Sequence, residues 1–474
     1  MNDQAQWTVE VRVESGPHAG LQTALSASEI RIGRGLINEV ALPDDHTVSE
    51  RHARLYLQEG QWFAEDSGSR NGVFLERAGH LEQVAGAIPL SPGATLILGA
   101  ARLHVSVKQT REECPAEAPV LAPPAAVLHI ALAEGHLLYR FSGSDPLSRQ
   151  YTVAYPPSLA SRIGRDLDRL AQRCNRGETG GLAELHALGK FLSAQMVPQR
   201  VIELLAGLEG CPLILSHDSE LIDMPWELAL AGEQPWCARF ALGRQIVLGD
   251  LSQRIRPKTG SPGLRMLIVA DPQGDLPAAR EEAEAFLGSL EQYRAFLDAD
   301  FIGGSRATLP AVLRALEQVD LVYYVGHGAY DPARPEASGW QLSDGNLGPE
   351  RIRSLSCPPR FVFSNACNSA EEVPQEKARM GRAANTGMAS GLLIAGVEGC
   401  IAARWPIRAE SSSALASAFF HRVLRGTPPG EALRDARLLV RRIHGENDLA
   451  WASFVLYGNP LQRLVPVAPG AVCK

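Results

Sequence analysis

A histidine and a cysteine in the C-terminal half of the chain each follow an apolar run. His327 comes after LVYYVG and lies between Gly326 and Gly328, and Cys367, 40 residues later, comes after RFVFSNA. Such runs are typical of buried strands, and the carboxyl ends of neighbouring parallel strands meet at one edge of a sheet. A thiol and an imidazole at one edge can serve as nucleophile and general base. The pattern therefore predicts a Cys–His dyad.

The chemistry predicted for this dyad is cleavage of an acyl bond. The Cys367 thiolate would attack a carbonyl carbon, and His327 would transfer the proton to the leaving amine. Gly328 allows its backbone N–H to approach the substrate closely, so together with the N–H of Cys367 it can form an oxyanion hole.

Strand-like and helical segments alternate around these two residues. LRMLIVAD precedes the helical pattern PAAREEAEAFLGSLEQYRAF, and DFIGG precedes RATLPAVLRALEQ. Two further helical patterns, SSSALASAFFHRVLRG and PPGEALRDARLLVRRIHG, come after the apolar runs. This alternation predicts an α/β domain with a mainly parallel sheet and helices on both faces.

The first 108 residues have a different pattern. Short β-like runs such as WTVEVRV, HARLYLQ and RLHVSV are separated by clusters of Gly, Pro, Asn, Asp and Ser. Regular short strands with turn signals predict an all-β sandwich. The segment that follows, KQTREECPAEAPVLAPPAAV, is rich in Pro, Ala and Glu and has no amphipathic period, so we expect a semi-extended linker.

The composition argues against several classes of protein. The 474 residues suffice for about three domains of roughly 150 residues each. With a formal charge of -7, the chain has no overall positive charge that would attract nucleic acid. The sequence also predicts neither a secretion signal nor a membrane span. We therefore expect a cytoplasmic protein whose partners include neither nucleic acid nor a membrane.

The eight cysteines contain no C-x-x-C pair, so the sequence predicts neither a zinc site nor a disulfide framework. Neither a metal nor an organic cofactor is expected. Cys367 is the expected nucleophile, and the other seven thiols are expected to be inert.

Three short motifs occur in order within the N-terminal region. They are Gly33-Arg34, the Ser-x-x-His run from Ser49 to His52, and Asn71-Gly72. In this order and spacing the region resembles a forkhead-associated (FHA) domain. The resemblance implies a sandwich that binds phosphothreonine peptides and a partner protein that carries phosphothreonine.

The residue types in these motifs suit that task. The Arg34 guanidinium can form a bidentate contact with a phosphate dianion, and the Ser49 hydroxyl can hydrogen-bond to it. The Asn71 amide can hydrogen-bond to the backbone of an extended peptide. Arg70 stands where the family often has Thr, so a cation replaces a hydroxyl. In the family, the histidine at position 52 braces the loops through hydrogen bonds and does not touch phosphate.

The C-terminal half carries a second resemblance. The strings LGKFLSAQMVP, PLILSHDSELIDMPWELAL, DPQGDLPAAREEAEAF, YYVGHGAY, WQLSDG, SNACNSA, GVEGCIAARWPI and WASFVLYGNP run in order from about residue 188 to 460. This series resembles a CHAT domain, a caspase-like and separase-like peptidase of the Cys–His clan. The resemblance implies an endopeptidase with His327 and Cys367 as its dyad. It also implies that residues 128–258 form a lobe packed on the catalytic sheet, with Trp226 buried and Glu227 paired.

Four residues are candidates for the substrate groove, and they point to different preferences. Trp405 would offer a flat apolar wall, and Arg404 beside it would favour an acidic side chain before the scissile bond. Asp344 would instead favour a basic side chain, and Asn365 stands where arginine-cleaving relatives often carry an acid. The sequence leaves these preferences open.

The predicted organisation is an FHA domain at 1–108, a linker at 109–127, the CHAT lobe at 128–258 and the caspase-like catalytic domain at 259–474. The leading hypothesis is a cysteine endopeptidase recruited by phosphothreonine. The alternatives are a non-catalytic scaffold in which the caspase-like half mediates assembly, and a latent protease that needs an effector.

Overall fold

A computed structural model gives the fold of most of the chain. It describes residues 6–25, 29–35, 38–43, 45–58, 60–77, 80–91, 93–110, 125–142, 150–208, 210–247, 263–329, 339–366, 388–405, 407–445 and 447–465. The chain divides into two compact units, and the boundary between them falls within residues 111–124.

The N-terminal unit consists of two antiparallel sheets. Its strands, in chain order, are β1 Gln6–Ser15, β2 Gln22–Leu25, β3 Glu29–Gly33, β4 Val40–Ala41, β5 Ala53–Gln58, β6 Gln61–Asp66, β7 Val73–Arg77, β8 His80–Gln83, β9 Ile88–Pro89, β10 Ala94–Leu98 and β11 Ala101–Thr110. One sheet has the order β2-β1-β11-β10-β7-β8 and the other β4-β3-β5-β6-β9, in which only the short β3–β4 pair is parallel.

Alternating side chains from both sheets build the core of this unit. Val9, Val11 and Val13 of β1 are buried against residues of the other sheet such as Ile30 and Trp62. The period of two places one face of each strand in the core. The predicted all-β sandwich is confirmed.

The second unit is organised around one sheet of eleven strands. Its strands are β12 Ala126–Ala133, β13 His136–Ser142, β14 Gln150–Ala154, β15 Leu213–Asp218, β16 Leu230–Ala231, β17 Gln234–Pro235, β18 Leu242–Val247, β19 Leu264–Ala270, β20 Leu297–Gly303, β21 Leu321–Gly326, β22 Gly328–Ala329, β23 Gly339–Leu342, β24 Gly345–Leu347, β25 Phe361–Ala366, β26 Gly399–Ala403 and β27 Phe454–Gly458. The large sheet has the order β14-β13-β12-β15-β18-β27-β26-β25-β21-β19-β20. Seven of its ten neighbouring pairs are parallel, which confirms the predicted α/β class.

Helices cover both faces of this sheet. They are α1 Pro157–Asn175, α2 Gly181–Met196, α3 Gln199–Ala206, α4 Trp236–Arg239, α5 Pro277–Ser289, α6 Leu309–Leu316, α7 Pro349–Arg353, α8 Ala409–Leu424, α9 Pro429–His444 and α10 Ala450–Ser453. Consecutive residues of β21 point to opposite faces: Tyr323 packs with Phe420 of α8, and Tyr324 packs with Val312 of α6 in a second core.

The segment predicted as a lobe packed on the catalytic sheet, residues 128–258, continues that sheet edge to edge. Strand β18 pairs in parallel with β27, so residues on either side of position 258 share one sheet and one continuous core. Trp226 is fully buried, and Glu227 forms a buried ion pair with Arg244 of β18. The predicted burial of Trp226 and pairing of Glu227 are therefore confirmed.

Candidate functional site

Three parallel strands end side by side at the edge that carries His327. Strand β21 lies between β19 and β25, and Gly326 at its end is in register with Ala366, the last residue of β25. His327 follows Gly326 directly. Cys367 follows Ala366 in the chain and lies outside the described residues.

The His327 ring is held by a carboxylate that the sequence motifs did not single out. Its Nε2 atom lies 3.0 Å from both carboxylate oxygens of Asp275. Asp275 belongs to the loop after β19, which is the third strand that ends at this edge. Residues that follow the carboxyl ends of neighbouring parallel strands meet at one edge of the sheet, and this applies to Asp275 as it does to His327. An Nε2–H bonded to the carboxylate leaves Nδ1 as the basic ring nitrogen.

The loop that carries Asp275 is fixed by its own side chains. Asp271 adopts a left-handed conformation with φ of 47°, and its Oδ1 accepts a hydrogen bond of 3.0 Å from the backbone N–H of Leu276. Gln273 donates from Nε2 to the carbonyl oxygen of Leu342 at 2.6 Å. A non-glycine residue with positive φ stores strain, which here is held in place by these bonds at a candidate site.

The backbone of His327 is also anchored. Its carbonyl oxygen accepts from the Gln341 N–H at 2.9 Å and from the Tyr324 hydroxyl at 2.7 Å. Burial raises the pKa of Tyr324, so the hydroxyl stays a donor. The Tyr324 ring stacks on Trp340 at 4.4 Å between centroids, and the Trp340 indole donates to Ser364 Oγ at 2.9 Å.

Gly326 has a steric reason to be glycine. A Cβ atom there would lie 2.7 Å from the Tyr324 hydroxyl and 3.0 Å from Cδ of Pro272. Gly328 begins the short strand β22, which pairs with β23 at Trp340. The chain on both sides of His327 is therefore closely packed.

A second group of predicted residues meets at one end of the N-terminal sandwich. Arg34 is exposed, and its backbone N–H donates to the carbonyl of Ser49 at 2.8 Å. The Ser49 hydroxyl accepts from the backbone N–H of Arg70 at 3.0 Å, and Asn71 donates from Nδ2 to the carbonyl of Thr47 at 2.7 Å. The structure thus brings together the residues predicted to bind a phosphopeptide.

His52 and Gly33 hold these loops together. The buried His52 ring accepts at Nδ1 from the Ser49 N–H at 2.9 Å, and its Nε2 lies 3.0 Å from the carbonyl of Gly72, so the Nε2–H tautomer satisfies both contacts. A Cβ at Gly33 would lie 2.4 Å from the carbonyl oxygen of Glu50. Asn38, which the motifs did not include, donates to that carbonyl from Nδ2 at 2.8 Å.

The family model described as "CHAT domain" matches residues 182–459, which is more than half of the chain. The chain belongs to the CHAT family. A second model, described as "Inner membrane component of T3SS, cytoplasmic domain", matches residues 12–109, upstream of the CHAT domain.

The region N-terminal to the CHAT domain is similar to several curated proteins, some of which are named as FHA proteins. "FHA domain-containing protein FhaB" of Mycobacterium tuberculosis is 41% identical over 66 residues, which cover 14% of this chain and 42% of that protein. "Oxoglutarate dehydrogenase inhibitor" of Corynebacterium efficiens is 35% identical over 91 residues, covering 19% of this chain and 60% of that protein. The chain therefore spans about half the length of these relatives.

Solved structures are similar to each unit. The FHA domain of the CT664 protein from Chlamydia trachomatis has 20% identity and a TM-score of 0.19, covering 21% of this chain and 96% of that chain. The Saccharomyces cerevisiae separase–securin complex has 12% identity and a TM-score of 0.45, covering 70% of this chain and 30% of that chain. The protein is a fusion of an FHA domain and a CHAT domain, as the sequence predicted.

The four residues predicted to line the groove of the CHAT domain lie at different places. Arg404 and Trp405 are buried, and the Arg404 guanidinium donates to the carbonyls of Ile222 and Asp223. Asp344 is exposed, and its Oδ1 accepts from the backbone N–H of Leu309 at the start of α6, at 2.6 Å. These contacts account for Arg404 and Asp344 without a substrate.

Asn365 lies near the end of β25, two residues before Cys367. It is buried and donates from Nδ2 to Ser412 Oγ of α8 at 2.7 Å. It is therefore the groove candidate that lies at the carboxyl edge of the sheet and on the face covered by α8.

Within the described ranges, no group of three or more His, Cys, Asp or Glu side chains is arranged to hold a metal ion. Of the helices that the structure describes, none has both the length and the apolar character needed to cross a membrane.

Proposed function

We propose that this FHA–CHAT protein is a cysteine endopeptidase that is recruited to substrates carrying phosphothreonine. The observation that carries the proposal is the register of β21 and β25, because Gly326 and Ala366 are partners and directly precede His327 and Cys367 in the chain. A histidine and a cysteine that follow paired strand ends have the arrangement that a thiol nucleophile requires.

In the proposed reaction, His327 Nδ1 takes the thiol proton of Cys367, and the thiolate attacks the carbonyl carbon of the scissile peptide bond. The backbone N–H groups of Gly328 and Cys367 stabilise the oxyanion that forms. As the C–N bond breaks, the proton on Nδ1 passes to the leaving amine. Water, deprotonated by the same nitrogen, then hydrolyses the thioester and frees the thiol.

Asp275 is assigned a positioning role in this cycle. Its carboxylate accepts the Nε2–H of His327, which fixes the tautomer with a basic Nδ1 and stabilises the imidazolium while the ring holds the extra proton. The anchored loop and the anchored His327 carbonyl support the same geometry from both sides.

The FHA domain supplies recruitment. The exposed Arg34 guanidinium and the Ser49 hydroxyl are proposed to bind the phosphate of a phosphothreonine, the exposed Arg70 adds positive charge, and the Asn71 amide binds the peptide backbone. Docking by this domain raises the effective concentration of the bound protein near the peptidase.

The decisive experiment compares new protein N-termini in cells that express the wild type or Cys367→Ala. Cleavages that appear with the wild type and vanish with Cys367→Ala support the peptidase. Identical sets of N-termini, with equal labelling of both proteins by a cysteine-reactive peptide probe, would favour the scaffold. Labelling of Cys367 only after addition of a phosphothreonine peptide would favour a latent protease.

A further inference from the structure

A groove lies between helices α1 and α2 of the second unit. The helices are antiparallel: the Arg162 guanidinium of α1 lies 4.9 Å from the centroid of the Phe191 ring of α2. At the other end of the groove, Arg173 of α1 is paired with Glu184 of α2. Among the described residues, only these two helices and Arg176, which directly follows α1, line the groove, and its volume is about 630 Å³. Its outer side is therefore open to a ligand.

Part of the lining is apolar. Leu170 of α1 is buried, whereas Leu188 and Phe191 of α2 are half-buried and Ala187 is exposed. Removal of such apolar surface from water favours binding, and the small side chain of Ala187 allows another helix to approach closely. The groove therefore fits a ligand that carries apolar side chains.

The α1 side of the groove is basic. Its basic lining residues are Arg162, Arg169, Arg173 and Arg176. Two of them already have acidic partners, since Arg173 is paired with Glu184 and the Arg176 guanidinium lies 3.6 Å from Glu178. The other two arginines, at the end of the groove that holds Phe191, are the ones that a ligand can engage.

Arg162 and Arg169 are exposed, and neither guanidinium forms a hydrogen bond to the described residues. Arg162 lies over the Phe191 ring, and the carboxylate beside Arg169, that of Asp166, is 3.9 Å away. Each guanidinium has five N–H donors in a planar fork that matches a carboxylate. The two residues are seven positions apart on α1, which is about 10 Å or two helical turns.

We infer that this groove binds an acidic amphipathic helix of a partner protein. The apolar side chains of that helix would contact Leu188 and Phe191, and two of its carboxylates would pair with Arg162 and Arg169. Residues seven apart lie on one face of a helix, so a partner helix presents carboxylates at the spacing of these arginines, with apolar residues between them. The groove would give the protein a docking site that needs no phosphate, and the inference does not depend on the proposed peptidase activity.

Two other anionic partners fit the groove less well. The carboxylates of Asp166 and Glu184 lie among the arginines and would repel the phosphates of a nucleic acid. An anionic membrane would need apolar side chains that can insert, but Leu167 and Leu170 of α1 are buried in the core. A protein helix satisfies both the basic and the apolar lining.

Binding is tested with the full chain carrying Cys367→Ala, so that no probe is cleaved. The probe is a fluorescein-labelled helical peptide of about 15 residues, with glutamates seven residues apart and leucines three and four residues after each glutamate. The matched peptide has glutamine in place of every glutamate. Fluorescence anisotropy is expected to show about tenfold tighter binding of the glutamate peptide, and this advantage should shrink as salt is added, because the two ion pairs are exposed.

Variants of the protein locate the site. Arg162→Gln combined with Arg169→Gln should abolish the advantage of the glutamate peptide. Arg200→Gln combined with Arg353→Gln removes the same charge from exposed positions of α3 and α7 and should leave that advantage unchanged. Ala187→Glu places a carboxylate in the groove and should weaken binding of the glutamate peptide.

Equal binding of the two peptides, or an advantage that survives in the Arg162→Gln, Arg169→Gln variant, would overturn the inference. Tighter binding of a DNA duplex or of phosphatidylserine vesicles that depends on Arg162 and Arg169 would also overturn it, because the groove would then recognise another kind of partner. The probe carries no phosphate and the protein no nucleophile, so these outcomes are separate from those of the proposed peptidase and of the FHA domain.

Discussion

His327 and Asp275 form a pair in which one ring nitrogen faces both oxygens of one carboxylate. The Nε2 to Oδ distances are each 3.0 Å, and the His327 side chain is 17% exposed while that of Asp275 is 60% exposed. The partners come from loops after adjacent strands, β19 and β21. The carboxylate is thus in contact with solvent, unlike a buried triad aspartate, and its effect on catalysis should be correspondingly smaller.

Asp275→Asn should lower kcat by between about tenfold and hundredfold and leave KM nearly unchanged, because the amide can bind Nε2 in the wrong tautomer and cannot stabilise the imidazolium. Steady-state kinetics on a cleaved peptide measure the two constants. Asp298→Asn, at an exposed position of β20, is the matched control and should have no effect. A parallel rise in KM would indicate a role in substrate binding.

Arg34→Ala should weaken binding of a phosphothreonine peptide by at least about tenfold, because a charge-assisted contact to phosphate is removed. Fluorescence anisotropy with the phosphorylated and unphosphorylated peptide measures it. Arg12→Ala removes an equal charge from an exposed position of β1 and should change nothing. Phosphate-dependent binding that survives in Arg34→Ala would exclude the assigned site.

Glu227→Gln should destabilise the CHAT domain by about 3 kcal/mol, because it leaves buried positive charge uncompensated. Burial acts to raise the pKa of Glu227, but Arg244 holds it below its usual range. The charge of that carboxylate also acts favourably on Arg404, which is buried nearby. Urea unfolding followed by tryptophan fluorescence gives the difference in free energy.

The control for this substitution is Glu233→Gln. The side chain of Glu233 is 84% exposed, so the change should cost less than about 0.5 kcal/mol. A loss of similar size in the two variants would mean that Arg244 is satisfied by the backbone carbonyls of Ile222 and Met224 alone.

His217 should make the CHAT domain less stable in mild acid. Burial lowers its pKa from 6.5 to about 4, and the Arg244 charge adds to the shift. Below the ordinary pKa the unfolded chain takes up a proton on His217, whereas the native protein takes one up only near the lowered pKa. The contribution of neutral His217 to the free energy of unfolding is therefore complete above the ordinary pKa and falls as the pH drops towards about 4.

The wild type should therefore lose about 2 kcal/mol more than His217→Gln between about pH 7.5 and about pH 5. Urea unfolding at the two pH values measures the free energies. His136→Gln, at an exposed position of β13, should follow the wild type. Equal losses in the wild type and His217→Gln would show that the native protein protonates His217 as readily as the unfolded chain.

Local patterns were sufficient for much of this protein. The apolar run before His327 predicted a buried strand that ends at a chemical edge, and the resemblance of the motif from Ser49 to His52 to the FHA family implied a loop braced by histidine. The first depends on strand ends that topology forces together, and the bond from Ser49 to His52 spans three residues, whereas the other side of the His52 ring reaches Gly72, 20 residues away. The same reasoning could have predicted Asp275 as a site residue, because it also follows a buried strand.

Local sequence patterns could not predict contacts between residues that are far apart in the chain. The sequence offered Arg404 as a specificity residue, yet its guanidinium donates to the carbonyls of Ile222 and Asp223, about 180 residues earlier in the chain. The strand order was equally impossible to predict from local patterns, because β27 from near the end of the chain lies between β18 and β26.

The sequence by itself determined the two kinds of domain, the strand that carries His327 and the loops that carry Arg34, Ser49 and Asn71, since periodicity and motif spacing are local properties. Only the tertiary structure decided what these residues touch. Asp275 reaches His327, and Asn365 bonds to Ser412, because strand pairing and helix packing bring together side chains that the chain itself keeps 52 and 47 residues apart.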